Sequence, residues 1–468
     1  MSGLSTKHAI VVGAGMAGLT AAKALSGHFG RVSILERDIL PSRAAPRPGT
    51  PQSRHVHALL AGGLVALEKL FPGIAAELEQ AGAVRLGVEQ FRMERPGFDP
   101  YPQYETGFDW LSVSRPLLEF VTRQTVARQE NIEFRGGRRV GEIVACPDGS
   151  VVTGVRCETA DGKMETLSAD FVVDASGRGV FALAALDSMG IAKPEEIEIG
   201  IDHAYSSAVF EQADVSSAWK TVVVLPSAPD SSRGAVLARI ENGQWIVTLG
   251  GNHGDAPPPD WEGFLAFART LRMPTIHDAI KDAKPVGPIV RYMLPCSTRR
   301  HFENLHRFPH GLLVVGDAIC RFNPVFAQGM SVAAQEAVIL DRLLAAGAGA
   351  IDPLGDLAPA FFSEIRDVLE TPWSVAKGDF IYPRTRGQRP ADFERTLDFN
   401  LALVRLGAED ATVQKLMTEV SHLLKPQSAL RTPEIAERVA RLMAAPGRMA
   451  MPGFSGPDRF WDAHSMSI

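Results

Sequence analysis

The sequence predicts an α/β fold: a Rossmann-like dinucleotide-binding domain, an antiparallel-sheet domain interleaved with it, and a helical C-terminal region. Three observations carry this. Residues 8–38 read as strand, glycine turn, helix, strand and acid; residues 235–249 show the apolar alternation of an antiparallel sheet; and residues 311–318 return as a buried strand ending in Gly316-Asp317.

The first unit sets the frame. An apolar run at 9–12 passes into Gly13, Gly15 and Gly18 with G-x-G-x-x-G spacing, and Ala14, Met16 and Ala17 complete the turn and helix start. Gly13 permits the tight turn, Gly15 lets a pyrophosphate approach the backbone, and Gly18 lets the helix pack closely on the strand. The phosphates then lie at a helix N-terminus, where unpaired N–H groups and the dipole favour an anion. A second apolar run at 32–35 ends in Glu36, an acid placed to bind a ribose with two free hydroxyls and to repel a 2′-phosphate.

After Glu36, Pro41, Arg43, Pro46, Arg47, Pro48 and Pro51 exclude helix and central strand, so this segment is a loop lying over something. It leads into a helix over 58–70, whose start carries Arg54, His55 and His57; an arginine here is placed to face a phosphate. Residues 82–104, broken by Pro96, Pro100 and Pro102, leave the first domain. Ser114-Arg115-Pro116 starts another helix, with Arg115 positioned to reach an anion. Runs at 132–134, 140–145 and 151–155 predict an antiparallel meander, and 171–173 a buried strand before Asp174-Ala175-Ser176-Gly177-Arg178. The loop Pro324 to Met330 leads into a helix over 331–344, and the chain beyond 352 is mostly helical by spacing. Domain bounds follow: 1–81, 105–190 and 296–345 for the dinucleotide-binding domain, 82–104 and 191–295 for a substrate domain, 346–468 for the helical region.

Composition limits the function. With 48 basic and 54 acidic residues the net charge is −6, which gives no nucleic-acid footprint. The four cysteines, Cys146, Cys157, Cys296 and Cys320, have neither metal-ligand spacing nor disulfide density, and no H-E-x-x-H occurs, so buried free thiols and no metal are expected. The short stretch before the first strand and the absence of a long apolar run predict a cytoplasmic chain with no transmembrane segment.

Three segments together, GAGMAG with Glu36, the helix bearing Arg115, and GDAICRFNPVFAQGM at 316–330, resemble the class A flavoprotein monooxygenases, the family with the p-hydroxybenzoate hydroxylase fold. Within that family PQSRHVHALLAGG, SRPLLE, DASGRG, GDAICRFNP and the Thr371-Pro372-Trp373 helix are similar to the bacterial olefin epoxidases of polyether biosynthesis, relatives of squalene epoxidase. The resemblance implies that the first domain binds FAD. Gly13, Gly15 and Gly18 would hold its pyrophosphate, Glu36 the adenosine ribose, and Arg37 the adenine side, with Arg54, His55 and Val140 also in the cofactor set. Asp317 would bind the ribityl or pyrophosphate portion, Pro324 would lie along the ring face, and the backbone at Gly329 and Met330 would face the pyrimidine edge.

The departures matter equally. Family members that bind NADPH show an Asp-Gly motif where this chain has Asp174-Ala175, so NAD(P)H is expected either directly or through a separate flavin reductase. The halogenase motif W-x-W-x-I-P is missing. The implied chemistry is a C4a-hydroperoxyflavin formed with O2, which transfers oxygen to an alkene without a protein base, whereas a phenol benefits from one. His203, Tyr205, His253 and Tyr292 fall in the substrate domain and could be pocket residues, although each reads first as structural; no catalytic residue is identified, and an apolar pocket that excludes water carries the expected chemistry. The expected function is epoxidation or hydroxylation of a lipophilic polyketide- or terpenoid-like molecule. A flavin-dependent reductase of isoprenoid double bonds and a flavin-binding accessory protein stand as alternatives.

Overall fold

The computed structural model describes residues 3–211 and 218–444. At its centre is a five-stranded parallel sheet in the order Leu312–Val314, Phe171–Asp174, His8–Val12, Arg31–Glu36, Ile132–Gly136. Three of them, at 9–12, 171–173 and 312–314, read as unbroken apolar runs because both faces of the sheet are covered, whereas Ile132–Gly136 at one edge is mixed and half-buried. The helix Met16–Ser26 packs against Gly329–Gly347, which in turn packs against Ala61–Leu70. Gly18 lets the helix Met16–Ser26 lie close on the strand His8–Val12 and its turn, since a Cβ there would lie 1.9 Å from the Gly13 carbonyl oxygen. Gly13 itself has φ +105°, a conformation open to glycine.

The carboxyl ends of the central strands bring Gly13, Glu36, Ala175 and Gly316 to one edge of the sheet, the place where open α/β sheets bind ligands. The sequence places these residues up to 303 positions apart, and the parallel register brings them together.

A three-stranded antiparallel sheet flanks this core, but its membership differs from expectation. It consists of Arg139–Ala145, Val152–Glu158 and Met164–Ser168. The run at 132–134 instead belongs to Ile132–Gly136, which follows the helix Arg115–Ala127 and pairs parallel with Arg31–Glu36. Met164–Ser168 is half exposed along its length, so its apolar signal is too weak to read. The helix expected over 58–70 also starts later: Ala58–Leu59 is a short strand against Trp110–Ser112, and the helix is Ala61–Leu70.

The second large sheet has seven strands, ordered Cys320–Arg321, Val290–Arg300, Glu196–Phe210, Trp245–Gly251, Gly234–Arg239, Thr221–Val224, Phe91–Glu94. The last strand comes from the Pro-broken excursion and pairs parallel with Thr221–Val224. One face of this sheet, through Phe210, Val247 and Leu249, packs on Phe264 and Phe267 of the helix Trp261–Arg269. Strand alternation turns His203, Tyr205, Ser207 and Thr248 to the opposite face, towards the parallel-sheet core.

The C-terminal region is helical: Leu357–Ala376, Phe393–Glu409, Ala411–Ser421 and Pro433–Ala444. It is stitched back onto earlier segments. Tyr101 donates its hydroxyl to the Val404 carbonyl at 2.7 Å, and the Tyr104 N–H donates to Gln414 Oε1 at 2.7 Å. The turn at His422 and Leu423 caps the helix Ala61–Leu70, accepting from the N–H groups of Ala61 (His422 Nδ1, 3.3 Å) and Gly62 (His422 O, 2.8 Å). Gln335 Nε2 donates to the Leu423 carbonyl at 2.8 Å. Cys157, Cys296 and Cys320 are buried free thiols, while Cys146 is half-buried. Among the described residues no helix is long and apolar enough to cross a membrane.

Candidate active site

A cavity of about 590 Å³ runs from the end of the second strand to the seven-stranded sheet. At one end stands Glu36, buried, with Oε2 accepting from the Ala14 N–H at 2.9 Å and Oε1 from the Asp38 N–H at 3.1 Å. Arg47, from the Pro- and Arg-rich loop, closes over it, with Nη1 3.0 Å from Glu36 Oε2 and 3.0 Å from Asp38 Oδ2 and Nε 2.7 Å from Glu119 Oε1. The surrounding carboxylates raise the Arg47 pKa despite burial. The loop thus folds back over the strand end, and its Thr50, Pro51 and Gln52 line the cavity.

Next along the wall lies an anion cradle. Gly15 precedes the helix Met16–Ser26, and the nearest atom to a Cβ built there is Arg115 Nη2 at 4.0 Å. Arg115 is buried, shares Glu119 with Arg47 through a 3.3 Å contact, and leaves its Nε without a partner. Helix dipole, free N–H groups and a buried guanidinium converge on one space.

The Gly316-Asp317 turn lies opposite. Gly316 takes φ +66° and donates its N–H to Glu336 Oε2 at 2.7 Å. That buried acid is pushed up to about 8 by desolvation. Asp317 opens onto the cavity; its depth in the molecule raises its pKa, and Arg321 and Arg115 pull it back down. Beyond it the turn Pro324–Phe326 is held by Asn323, whose side chain accepts from the Val325 N–H at 3.2 Å, and Ala327 takes φ +55° before the helix Gly329–Gly347 begins.

Tyr292, from the seven-stranded sheet, and His57 also line the cavity. His57 Nδ1–H donates to the His55 carbonyl at 2.9 Å, which leaves Nε2 as an acceptor, and burial next to Arg115 lowers its pKa to about 4. His55 points away from the cavity, with Nδ1 2.7 Å from Ser207 Oγ and its ring edge-on to Tyr205; burial lowers it to about 3.

Of the expected cofactor residues, Gly13, Gly15, Met16, Ala17, Glu36, Arg37, Arg115, Val140, Gly316, Asp317, Pro324, Gly329 and Met330 line this cavity. Ala14 and Gly18 stand behind its wall, where they hold Glu36 and the helix in place. Arg54 is exposed at the end of the turn Pro51–Arg54 and does not line the cavity, and His55 is directed into the sheet. Tyr292, read as structural, lines the cavity, and His57, Ser176, Arg178, Arg321, Asn323 and Gln328 join it. Asp174 is fully buried and caps its own turn, accepting from Ser176 N–H and Ala182 N–H at 3.0 Å each.

Residues 6–349 match the FAD binding domain family. The chain belongs to this family. It is 32% identical over 408 residues to protein Rv3254 of Mycobacterium tuberculosis (strain ATCC 25618 / H37Rv), covering 82% of this chain and 84% of that one. Its fold is similar to a flavoprotein/dehydrogenase from Cytophaga hutchinsonii (TM-score 0.67, 16% identity, 93% and 98% of the two chains). It is also similar to the flavin-dependent brominase Bmp2 (0.66, 15%, 93% and 99%) and to p-nitrophenol 4-monooxygenase PnpA from Pseudomonas putida DLL-E4 (0.65, 18%, 90% and 99%). The protein is therefore an FAD-binding flavoprotein with the class A monooxygenase fold, a fold shared by hydroxylases and a brominase alike.

The cavity fits the cofactor on its own terms. Arg115 Nε, Ser176 Oγ and Gln328 Oε1 are buried polar atoms of lining residues with no hydrogen-bond partner among the described residues, spread along the cavity from the cradle to the helix start at Gly329. A long ligand with a diphosphate and a polar ring edge would offer partners along this path.

Proposed function

We propose that the protein is an FAD-dependent monooxygenase that epoxidises or hydroxylates a lipophilic small molecule with O2. The observation that carries this reading is the continuity of one cavity from the Gly15–Arg115 cradle to the sheet face at Tyr292. When bound and reduced, FAD supplies the oxygen activation. The chain supplies the rest. Glu36 takes the ribose, Arg37 and Val140 flank the adenine, Gly13, Gly15 and Arg115 hold the diphosphate, and Asp317 the ribityl chain. Pro324, Gly329 and Met330 border the ring.

The substrate end favours oxygen transfer to a group that needs no deprotonation. His57, the imidazole of the cavity wall beside Arg115, is held well below its ordinary pKa by burial and by that guanidinium, which makes it a poor base for a phenol. Val56, packed beside Ile246 of the seven-stranded sheet, and Phe322, next to its edge strand Cys320–Arg321, make this part of the wall apolar. This supports an alkene substrate over a phenol. The reductant is NAD(P)H, bound directly or used by a separate flavin reductase.

The test is a screen of polyene and terpenoid alkenes under 18O2, run with NADPH alone and with NADPH plus a flavin reductase. One labelled oxygen in an epoxide or alcohol is the expected result. Saturated product without O2 uptake would instead identify a double-bond reductase, and FAD binding without either product an accessory protein.

A further inference from the structure

The matched family segment stops at residue 349, yet the loop that borders the flavin ring in the reading above is anchored from beyond it. Asn323 is 2% exposed. Its Oδ1 holds the Val325 N–H, and its Nδ2 donates to Asp379 Oδ2 at 3.1 Å. Asp379 lies in the turn Lys377–Ile381 that follows the helix Leu357–Ala376, and among the described residues Asn323 is the one side chain hydrogen-bonded to its carboxyl group. One hydrogen bond therefore separates a buried acid of the C-terminal region from a residue of the cavity wall.

We propose that Asp379 is a positioning residue for the ring end of the FAD site: through Asn323 it fixes the 323–330 loop, and its charge is felt by the bound flavin. The proposal rests on the reading that this loop faces the ring.

The surroundings leave that charge uncompensated. Burial lifts the Asp379 carboxyl to about 7, with Asn323 alone favouring ionisation, and Asp379 in turn raises Tyr382. The charged neighbours on the packed elements are engaged elsewhere. Glu370 of the preceding helix meets Arg299 and Lys377, while Asp202 and Glu196 on the sheet strand meet Arg386 and Arg300. Glu198 accepts from Cys296, His203 is bonded to Asn252, and His253 to Thr385. A negative charge close to the ring would disfavour added electrons, and Asp379 lies one side chain behind the cavity wall. Above pH 7 ionised Asp379 should thus lower the midpoint potential of bound FAD; below it the neutral acid should not.

The experiment compares the FAD-loaded wild type with Asp379→Asn between pH 5.5 and 8.5, reading FAD stoichiometry, flavin absorbance and midpoint potential at each pH. Equal potentials at pH 5.5 and a more positive potential for the variant at pH 8.5, opening around pH 7, are expected. Asn323→Ala should shift the flavin spectrum while keeping FAD bound. If Asp379→Asn does not fold, the wild-type flavin absorbance alone decides, by showing or lacking an inflection near pH 7. Stoichiometric FAD with coincident potentials at all pH, or with a featureless wild-type titration, overturns the proposal and leaves the FAD site standing. Failure of the wild type to bind FAD overturns both.

Discussion

Arg47 and Glu36 form a buried ion pair, with Nη1 3.0 Å from Oε2 and both side chains at most 6% exposed. The same guanidinium also meets Asp38 and Glu119. Truncating it to Met leaves three carboxylates crowded together, with Arg115 and Arg123 near Glu119 and the pairing of Glu36 and Asp38 with Arg47 lost. Removing one partner of a buried pair costs about 3–5 kcal/mol. Arg47→Met should lower the urea midpoint of the FAD-free protein by a corresponding amount, and an unchanged midpoint would show that the pair does not hold the loop.

Arg115 acts on the ligand more than on the fold, because its Nε is free and its one ion-pair contact is long. A charge-assisted hydrogen bond to a phosphate is worth about 1.5–3 kcal/mol. Arg115→Met should weaken FAD binding by roughly 10- to 100-fold in a fluorescence titration, with thermal stability of the apoprotein little changed.

Two glycines of one motif should separate folding from binding. Alanine at Gly18 places a Cβ 1.9 Å from the Gly13 carbonyl oxygen and forces helix and turn apart, so Gly18→Ala should yield little soluble protein. At Gly15 the backbone suits alanine and the Cβ enters the cavity. Gly15→Ala should fold normally and lose FAD. Equal behaviour of the two variants would contradict the packing described.

His422 gives a pH prediction. Burial holds it at about 4 in the folded protein, against an ordinary 6.5 when unfolded, so falling pH protonates the unfolded chain first. Its contribution is intact above pH 6.5 and is lost between 6.5 and about 4, by up to roughly 3 kcal/mol. His422→Asn keeps an acceptor near the Ala61 N–H and removes the titration. The wild type should lose stability relative to this variant between pH 7 and 4.5 in urea unfolding; parallel curves would place the imidazole in contact with solvent.

What the sequence made legible was local. Residues 8–36 declare strand, turn, helix and acid within one βαβ unit, and the loop at 316–330 sits next to its strand and helix. The contacts across the chain were hidden. His55 packs on Tyr205 and Tyr292 only because the segment after the Pro-rich loop lies against a sheet face whose strands come mostly 140 and more residues later. Arg47 looked like one loop arginine among several until three carboxylates closed on it. The strand Ile132–Gly136 was misplaced because parallel pairing with Arg31–Glu36 leaves no hairpin signal, whereas a Gly136-Gly137 turn does.

The His422–Leu423 cap also bears on how the molecule is made. The helix Ala61–Leu70 is synthesised early, but the partner of its first N–H lies 361 residues further along. While the ribosome works through that interval, the growing polypeptide holds an incomplete helix start beside the nucleotide site, and Gln335 waits for the same turn. Final closure of the cofactor-binding half is therefore a late event in biosynthesis, one that nascent chains stalled before residue 422 should never reach.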